Sequence, residues 1–168
     1  MNTDGYQPLR APVNGNVYEF SRADARLVFK HTVASIPDRV EALGRLCEAN
    51  GFSNDPEGWT RMLSEAECEA DDPGELTPLW RSIVLDVSLA MSDALIRRSD
   101  GQLHWKFYFG SKNSFDFHHP VIVGFQNVAN KSYHVELYRL ITNMTRVAAN
   151  GKPMRDLGEY LDFMAAKI

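Results

Sequence analysis

The residues that could do chemistry in this chain concentrate in one stretch, His104 to Phe125, which reads HWKFYFGSKNSFDFHHPVIVGF. Asp116 and His118 are two residues apart, a spacing that places both side chains on one side of a strand. A carboxylate and an imidazole so placed could bind a metal ion or exchange a proton with a substrate. His104 and Tyr108 are the other ionisable side chains that could join the same surface. These four residues form the candidate catalytic group.

A β-hairpin would bring this group together. Aromatic and polar residues alternate in two runs, which predicts strands at about 103–109 and 115–125 joined by a short loop. In the expected register Phe107 pairs with Phe117, so one face of the hairpin is aromatic and packs inward. A slip of one residue would exchange the two faces. Pro120 has no amide proton to donate, so we expect a break or an edge there.

On the polar face the same register pairs Lys106 with His118 and Tyr108 with Asp116. A catalytic zinc also needs a third protein ligand and an open position. The remaining histidine, His104, lies at the far end of the ladder, and the Lys106 ammonium would repel a cation. We therefore expect no metal and no other cofactor, with Asp116 and His118 as the ligands if a metal does bind. The alternative is that this face is an ordinary, partly solvated sheet surface.

No motif elsewhere identifies a reaction. The chain has no phosphate-binding glycine loop, no nucleophile elbow, no CxxC pair and no HExxH sequence. We therefore expect a protein without catalytic activity. A hydrolase that uses Asp116, His118 and His104 as metal ligands or acid–base groups is the alternative.

Charge points to a binding role. The formal net charge is −4, but residues 1–100 carry 10 Lys and Arg against 17 Asp and Glu, whereas residues 101–168 carry 8 against 5. Six acids fall within eleven residues, and these partner-binding candidates are Glu65, Glu67, Glu69, Asp71, Asp72 and Glu75. The run is either a solvated loop or a docking surface for a basic partner, to which Lys106 could add a contact.

Nucleic acid is a further possible partner. Lys106 and Lys112 alternate with aromatic residues of the hairpin, as on a sheet that stacks single-stranded bases. The negative net charge and the inward face expected for Phe107 and Phe117 argue against this role. We therefore rank it below binding to another protein.

Solubility and compartment follow from what the chain lacks. No window has 18 uncharged apolar residues, and the amino terminus lacks the apolar run of an export signal. Cys47 and Cys68 are too few and too far apart for a disulfide framework. We therefore expect a cytoplasmic protein with reduced thiols and no membrane partner.

The fold expected from these patterns is α+β, in a single domain spanning 1–168 with 1–16 as an irregular arm. A small antiparallel sheet, with a possible extra strand at 17–20, would pack on a long central helix at 77–98. Other helices are expected from Ser21 to about Ala34, from Pro37 to Asn50, from Asp55, from Tyr133 to Ala149 and from Pro153. On the central helix Asp86 and Asp93 are interpreted as structural, with Arg97 one turn after Asp93 as its ion-pair partner.

From Leu76 to Gly151 the order of elements is a long helix, a strand that contains Trp105, the sequence PVIVGF and another helix. In this respect the chain resembles small uncharacterised bacterial α+β domains, some of which look like immunity partners of secreted toxins. The resemblance implies a binding protein without catalytic activity, of the immunity or regulatory type. It assigns no functional residue.

Overall fold

The structure is a computed structural model that describes all residues from Met1 to Ile168. It contains six α-helices and one two-stranded antiparallel sheet, so the predicted α+β class is confirmed. In chain order the elements are α1 (Arg22–Ala34), α2 (Ile36–Ala49), α3 (Pro56–Leu63), α4 (Pro78–Arg98), β1 (His104–Phe107), β2 (Pro120–Val123), α5 (Leu137–Ala149) and α6 (Leu157–Ala165). None of the helices combines the length and the apolar character that a membrane span requires.

Side-chain caps explain where the first helices begin. Ser21 accepts a hydrogen bond from the Asp24 amide, and Asp55 accepts one from the Gly58 amide. Thr77 does the same for α4, whose first residue is a proline, as is that of α3. These contacts satisfy amide groups that have no partner within the helix. The predicted starts of α1, α3 and α4 are therefore confirmed.

Helix α4 is the centre of the molecule. Eleven of its 21 residues are buried, and they lie on all sides of the helix rather than along one stripe. Helices α2, α3, α5 and α6 all pack against it. The ion pair expected on this helix is present, with 2.8 Å between Arg97 and Asp93. The prediction of an enclosed central helix is confirmed.

The register of the sheet differs from the predicted one. Lys106 lies opposite Val121 and Phe107 opposite Pro120, so β1 is paired three residues further along the second strand than expected. Residues 112–118 form turns instead of extended strand, and His118 has a left-handed backbone with a φ of +66°. We call residues 108–119 the aromatic loop. The predicted pairs Lys106 with His118, Tyr108 with Asp116, and Phe107 with Phe117 were wrong.

Three other boundaries differ from prediction. The possible strand at 17–20 is a short 3-10 turn, Val17–Glu19. Helix α5 begins at Leu137 because Val135 first forms a β-bridge with Ile122, through hydrogen bonds of 2.9 and 3.0 Å. Helix α6 begins at Leu157, where Asp156 caps it, and not at Pro153.

Residues 1–16, which we call the arm, form no helix or strand. Side chains of three helices hold the arm in place. The Tyr6 hydroxyl donates to Asp86 of α4 at 2.6 Å, and Arg39 of α2 donates to the Gln7 carbonyl at 2.7 Å. His31 of α1 lies 3.0 Å from the Arg10 carbonyl. The arm is thereby fixed across α1, α2 and α4.

Candidate functional site

The four predicted catalytic residues do not share one surface in the way the expected register implied. His104 is exposed on β1 opposite Val123, and Tyr108 follows the end of that strand. Asp116 and His118 both lie in the aromatic loop but have different neighbours. Asp116 contacts α5 and the segment before it, whereas His118 is buried and contacts Val17, the first residue after the arm.

Asp116 belongs to a cluster that the sequence did not reveal. Its carboxylate lies 2.9 Å from His134 Nε2 and accepts a 3.1 Å hydrogen bond from Arg139. The other ring nitrogen of His134 is 3.0 Å from the Ser132 carbonyl, and the ring lies 4.6 Å from that of Tyr108. Both nitrogens of His134 are therefore engaged by oxygen acceptors. The cluster ties the aromatic loop to the start of α5 and leaves no free imidazole nitrogen for a substrate.

Glu136 connects this cluster to the helix. Its carboxylate accepts hydrogen bonds from the Tyr138 and Arg139 amides and so caps α5. Burial raises the pKa of Glu136 to about 7, and the negative charge of Asp116 acts in the same direction. A carboxyl group that titrates near neutral pH thus lies at the amino end of α5.

His118 occupies an unusual position. Its side chain is 5% exposed and its ring stacks on that of Phe117 at 3.8 Å, with Phe107 and Phe109 also within 5.7 Å. Nδ1 is 3.1 Å from the Val17 carbonyl, but Nε2 is buried without a hydrogen-bond partner. A left-handed backbone and an unpaired buried nitrogen both carry an energetic cost. Features of this kind are frequent at binding sites.

His119 repeats part of this pattern. Its Nε2 is also buried and unpaired. Its ring lies 5.7 Å from that of Tyr18, and burial lowers the pKa of His119. Burial therefore favours the neutral form of the ring.

Both histidines line a cavity of about 370 Å³. The arm, α1, α4, the end of the aromatic loop and the start of α5 line it, and most of its lining residues are hydrophobic. No Lys, Arg or Asp lines it, and Glu136 is its one acidic residue. Among the predicted site residues, His118 alone reaches this cavity.

The acidic run is an ordered structure rather than an open loop. Cys68 and Leu76 form a β-bridge, and the Glu69 amide donates to the Glu75 carbonyl at 2.8 Å. Leu76 is fully buried, which fixes this segment to the core. We call residues 65–77 the acidic hairpin.

The six acids of the hairpin fall into two groups. Glu75 lies 3.4 Å from Arg146 and 3.9 Å from Arg81, and Glu69 is 3.9 Å from Arg81. The other four acids are exposed and take part in none of the salt bridges of the structure; they are Glu65, Glu67, Asp71 and Asp72. The hairpin therefore presents four carboxylates that no intramolecular cation neutralises.

A surface groove of about 960 Å³ runs along β1 and β2. Four cationic side chains line it, namely Arg22, Arg26, Lys106 and Lys131, and no Asp or Glu does. None of the four forms a salt bridge. We call this surface the basic groove. Its charge is opposite to that of the acidic hairpin.

Aromatic rings lie between these cations. Trp105, Tyr108 and Phe109 line the groove, and the Arg22 guanidinium lies 4.0 Å from the centre of the Phe109 ring. Phe117 is buried, as expected for the inward aromatic face, and Phe115 is 70% exposed outside the groove. The groove therefore differs from the predicted platform in its members but keeps the combination of cations and rings.

Two searches complete the description of the site. No group of three or more His, Cys, Asp or Glu side chains is placed to hold a metal ion. Comparison with known protein families, curated proteins and solved structures finds no match for this chain. The resemblance to immunity partners thus stays a prediction.

Proposed function

We propose that the chain is a non-catalytic cytoplasmic interaction protein, of the immunity or regulatory type, that docks a basic partner protein through the acidic hairpin. The observation that carries this proposal is that Glu65, Glu67, Asp71 and Asp72 are exposed, form no salt bridge and lie on an ordered backbone. The two free cysteines, Cys47 and Cys68, are consistent with a reducing compartment.

Fixed, uncompensated charge favours association with an oppositely charged protein. A cluster of like charges raises the rate of encounter with a basic surface and disfavours acidic competitors. The hairpin backbone is already ordered by the Cys68–Leu76 bridge, so binding costs little conformational entropy in this segment. Arg81 and Arg146 hold Glu69 and Glu75 on the protein and leave the other four acids for the partner.

The test is a quantitative capture experiment from the native host with three forms of the protein. The first is the natural chain, and the second carries Glu65→Gln, Glu67→Gln, Asp71→Asn and Asp72→Asn. The third is a control with the same change in net charge at exposed acids elsewhere, namely Glu19→Gln, Glu48→Gln, Glu57→Gln and Glu159→Gln.

We expect a basic protein that the natural chain and the control capture equally and that the hairpin variant loses. Titration of the purified partner should then show a Kd that rises with salt, because the contact is between exposed charges. Equal capture by the hairpin variant, or no captured protein at low salt, would contradict the proposal.

The basic groove supports a second candidate, the binding of single-stranded nucleic acid. Cations that track a phosphate backbone and rings on which bases stack are the two components of such sites. Because the four cations are local, the negative net charge of the whole chain does not oppose binding at this surface. Labelled oligo-dT and oligo-U titrated by fluorescence anisotropy are the direct probes.

A double variant, Arg26→Ala with Lys106→Ala, should weaken oligonucleotide binding. The slope of log affinity against log salt concentration should become shallower by the amount that roughly one to two phosphate contacts contribute. Lys30→Ala with Lys152→Ala removes two exposed cations outside the groove and should have no effect. An unchanged affinity in the groove variant would exclude this surface as the binding site.

A further inference from the structure

The cavity beneath the arm has two properties that point to a ligand. Its wall is mostly apolar, so that a volume of about 370 Å³ is not well suited to a cluster of waters. Yet His118 and His119, which both line it, each have a buried Nε2 that lacks any hydrogen-bond partner. A mostly apolar molecule with one polar group would fill the apolar space and could also form a hydrogen bond with one of these nitrogens.

The hydrogen bonding of His118 defines what that polar group must do. A carbonyl oxygen only accepts hydrogen bonds, so Nδ1 of His118 must carry the proton that it donates to Val17. In the neutral ring Nε2 is then a lone-pair acceptor. The ligand must therefore offer a hydrogen-bond donor to this atom.

The charges around the cavity narrow the choice. No Lys or Arg lines it, and the Glu136 carboxyl does, so the site disfavours carboxylates, phosphates and other anions. Ser88 and Ser92 also line it, but their hydroxyl hydrogens are already donated to the Leu85 and Ser88 carbonyls within α4. The polar group of the ligand that fits this cavity is therefore an uncharged hydrogen-bond donor.

We propose that this cavity binds a small apolar alcohol or phenol, whose hydroxyl donates to Nε2 of His118 while its hydrocarbon part fills the space between the arm and α4. The volume is roughly two and a half times that of an engineered cavity that holds benzene, which leaves room for a ligand about the size of naphthalene. This inference does not depend on the acidic hairpin or on the basic groove.

Two probes of almost equal shape test the proposal on the full chain. 2-Naphthol can donate a hydrogen bond, whereas 2-methoxynaphthalene can only accept one. We expect both to bind in calorimetric titrations and 2-naphthol to bind about 2- to 12-fold more tightly, the range that one hydrogen bond supplies. Equal affinities, or no binding of either probe at about 1 mM, would overturn the proposal.

His118→Asn is the matched variant. Asparagine tolerates the left-handed backbone found here, and its amide can replace Nδ1 as the donor to Val17, but nothing replaces Nε2. We expect the preference for 2-naphthol to fall to about 1-fold while 2-methoxynaphthalene binds as before. His104→Asn, on exposed β1, should leave both affinities unchanged. A preference that survives in His118→Asn would show that the hydroxyl binds elsewhere.

A second variant tests the location without altering the histidine. Leu89→Trp places a larger side chain into the cavity from α4 and should weaken both probes together. Circular dichroism verifies that this variant is folded. Unchanged binding of both probes to folded Leu89→Trp would overturn the assignment to this cavity.

Discussion

The Tyr6 hydroxyl donates a 2.6 Å hydrogen bond to the carboxylate of Asp86, which lies 80 residues further along the chain. Arg39 donates to both oxygens of the same carboxylate, one of them at 2.8 Å from Nε, and Asp86 is fully buried. Burial raises the pKa of Asp86, while the bonds from Arg39 and Tyr6 favour its charged form. These three residues join the arm, α2 and α4 in the interior.

Asp86→Leu should be strongly destabilising, because it leaves the Arg39 guanidinium buried without a counter-ion. We expect a loss of about 3 to 5 kcal/mol in the free energy of unfolding, measured by urea denaturation. The double variant Asp86→Leu with Arg39→Met removes both charges and should recover most of that loss. A double variant as unstable as the single one would show that the pair itself, and not the stranded charge, provides the stability.

Glu136 predicts a pH dependence of stability. The folded protein holds the Glu136 proton more tightly than the unfolded chain, since burial raises the pKa from 4.5 to about 7. The stabilisation associated with the protonated form is therefore complete below about pH 4.5 and is lost as the pH rises through 7. The total change is on the order of 3 kcal/mol.

Glu136→Gln should remove this pH-dependent contribution to the free energy of unfolding. We expect the stability of the natural chain relative to Glu136→Gln to fall between about pH 4.5 and 7 and to level off above that range. Thermal or urea unfolding across this range measures the difference, with exposed Glu48→Gln as the control. A flat difference between the natural chain and Glu136→Gln would contradict the assignment.

Gly124 at the end of β2 has a φ of +109°, and a Cβ atom there would lie 2.3 Å from the Gln102 carbonyl oxygen. Gly124→Ala should therefore destabilise the protein by about 1 to 3 kcal/mol through backbone strain alone, with the steric clash added. Gly51→Ala is the matched control, because φ is +71° there but nothing lies within 4 Å. Equal Tm losses in the two variants would exclude the clash as a cause.

Asp116→Asn should loosen the aromatic loop more than the molecule as a whole. The carboxylate contacts His134 and Arg139, and the Arg139 side chain is 46% exposed, so we expect a global loss of only about 1 kcal/mol. Hydrogen exchange of the amides in residues 108–119 should accelerate, whereas that in α4 should change little. Asp162→Asn, which breaks the exposed pair with Arg98, should leave exchange in the loop unaffected.

Local signals predicted the helices well. Ser21, Asp55 and Thr77 each cap a helix through the amide three residues ahead, so the information lies within one turn of the chain. The pair between Asp93 and Arg97 is equally local. The α+β class and the central helix followed from these features and from the distribution of apolar residues along α4.

The strand register and the cavity could not be predicted in this way. Alternation in residues 103–125 suited two long strands, but residues 112–118 form turns and His118 has a left-handed backbone, so the two strands are short. His134 contacts Asp116 across 18 residues, and Tyr6 reaches Asp86 across 80. No periodic pattern encodes such contacts, since they depend on how the finished elements pack.

The distance along the chain between Tyr6 and Asp86 has a consequence for biosynthesis. At about 5 to 20 residues per second, the ribosome needs roughly 4 to 16 s after making Tyr6 to add its hydrogen-bond partner. Throughout that interval Leu9 and Val13 of the arm lack the α4 surface that they face in the finished cavity. The nascent chain therefore exposes apolar residues that a chaperone could recognise. The arm can close over the cavity only after α4 has been translated.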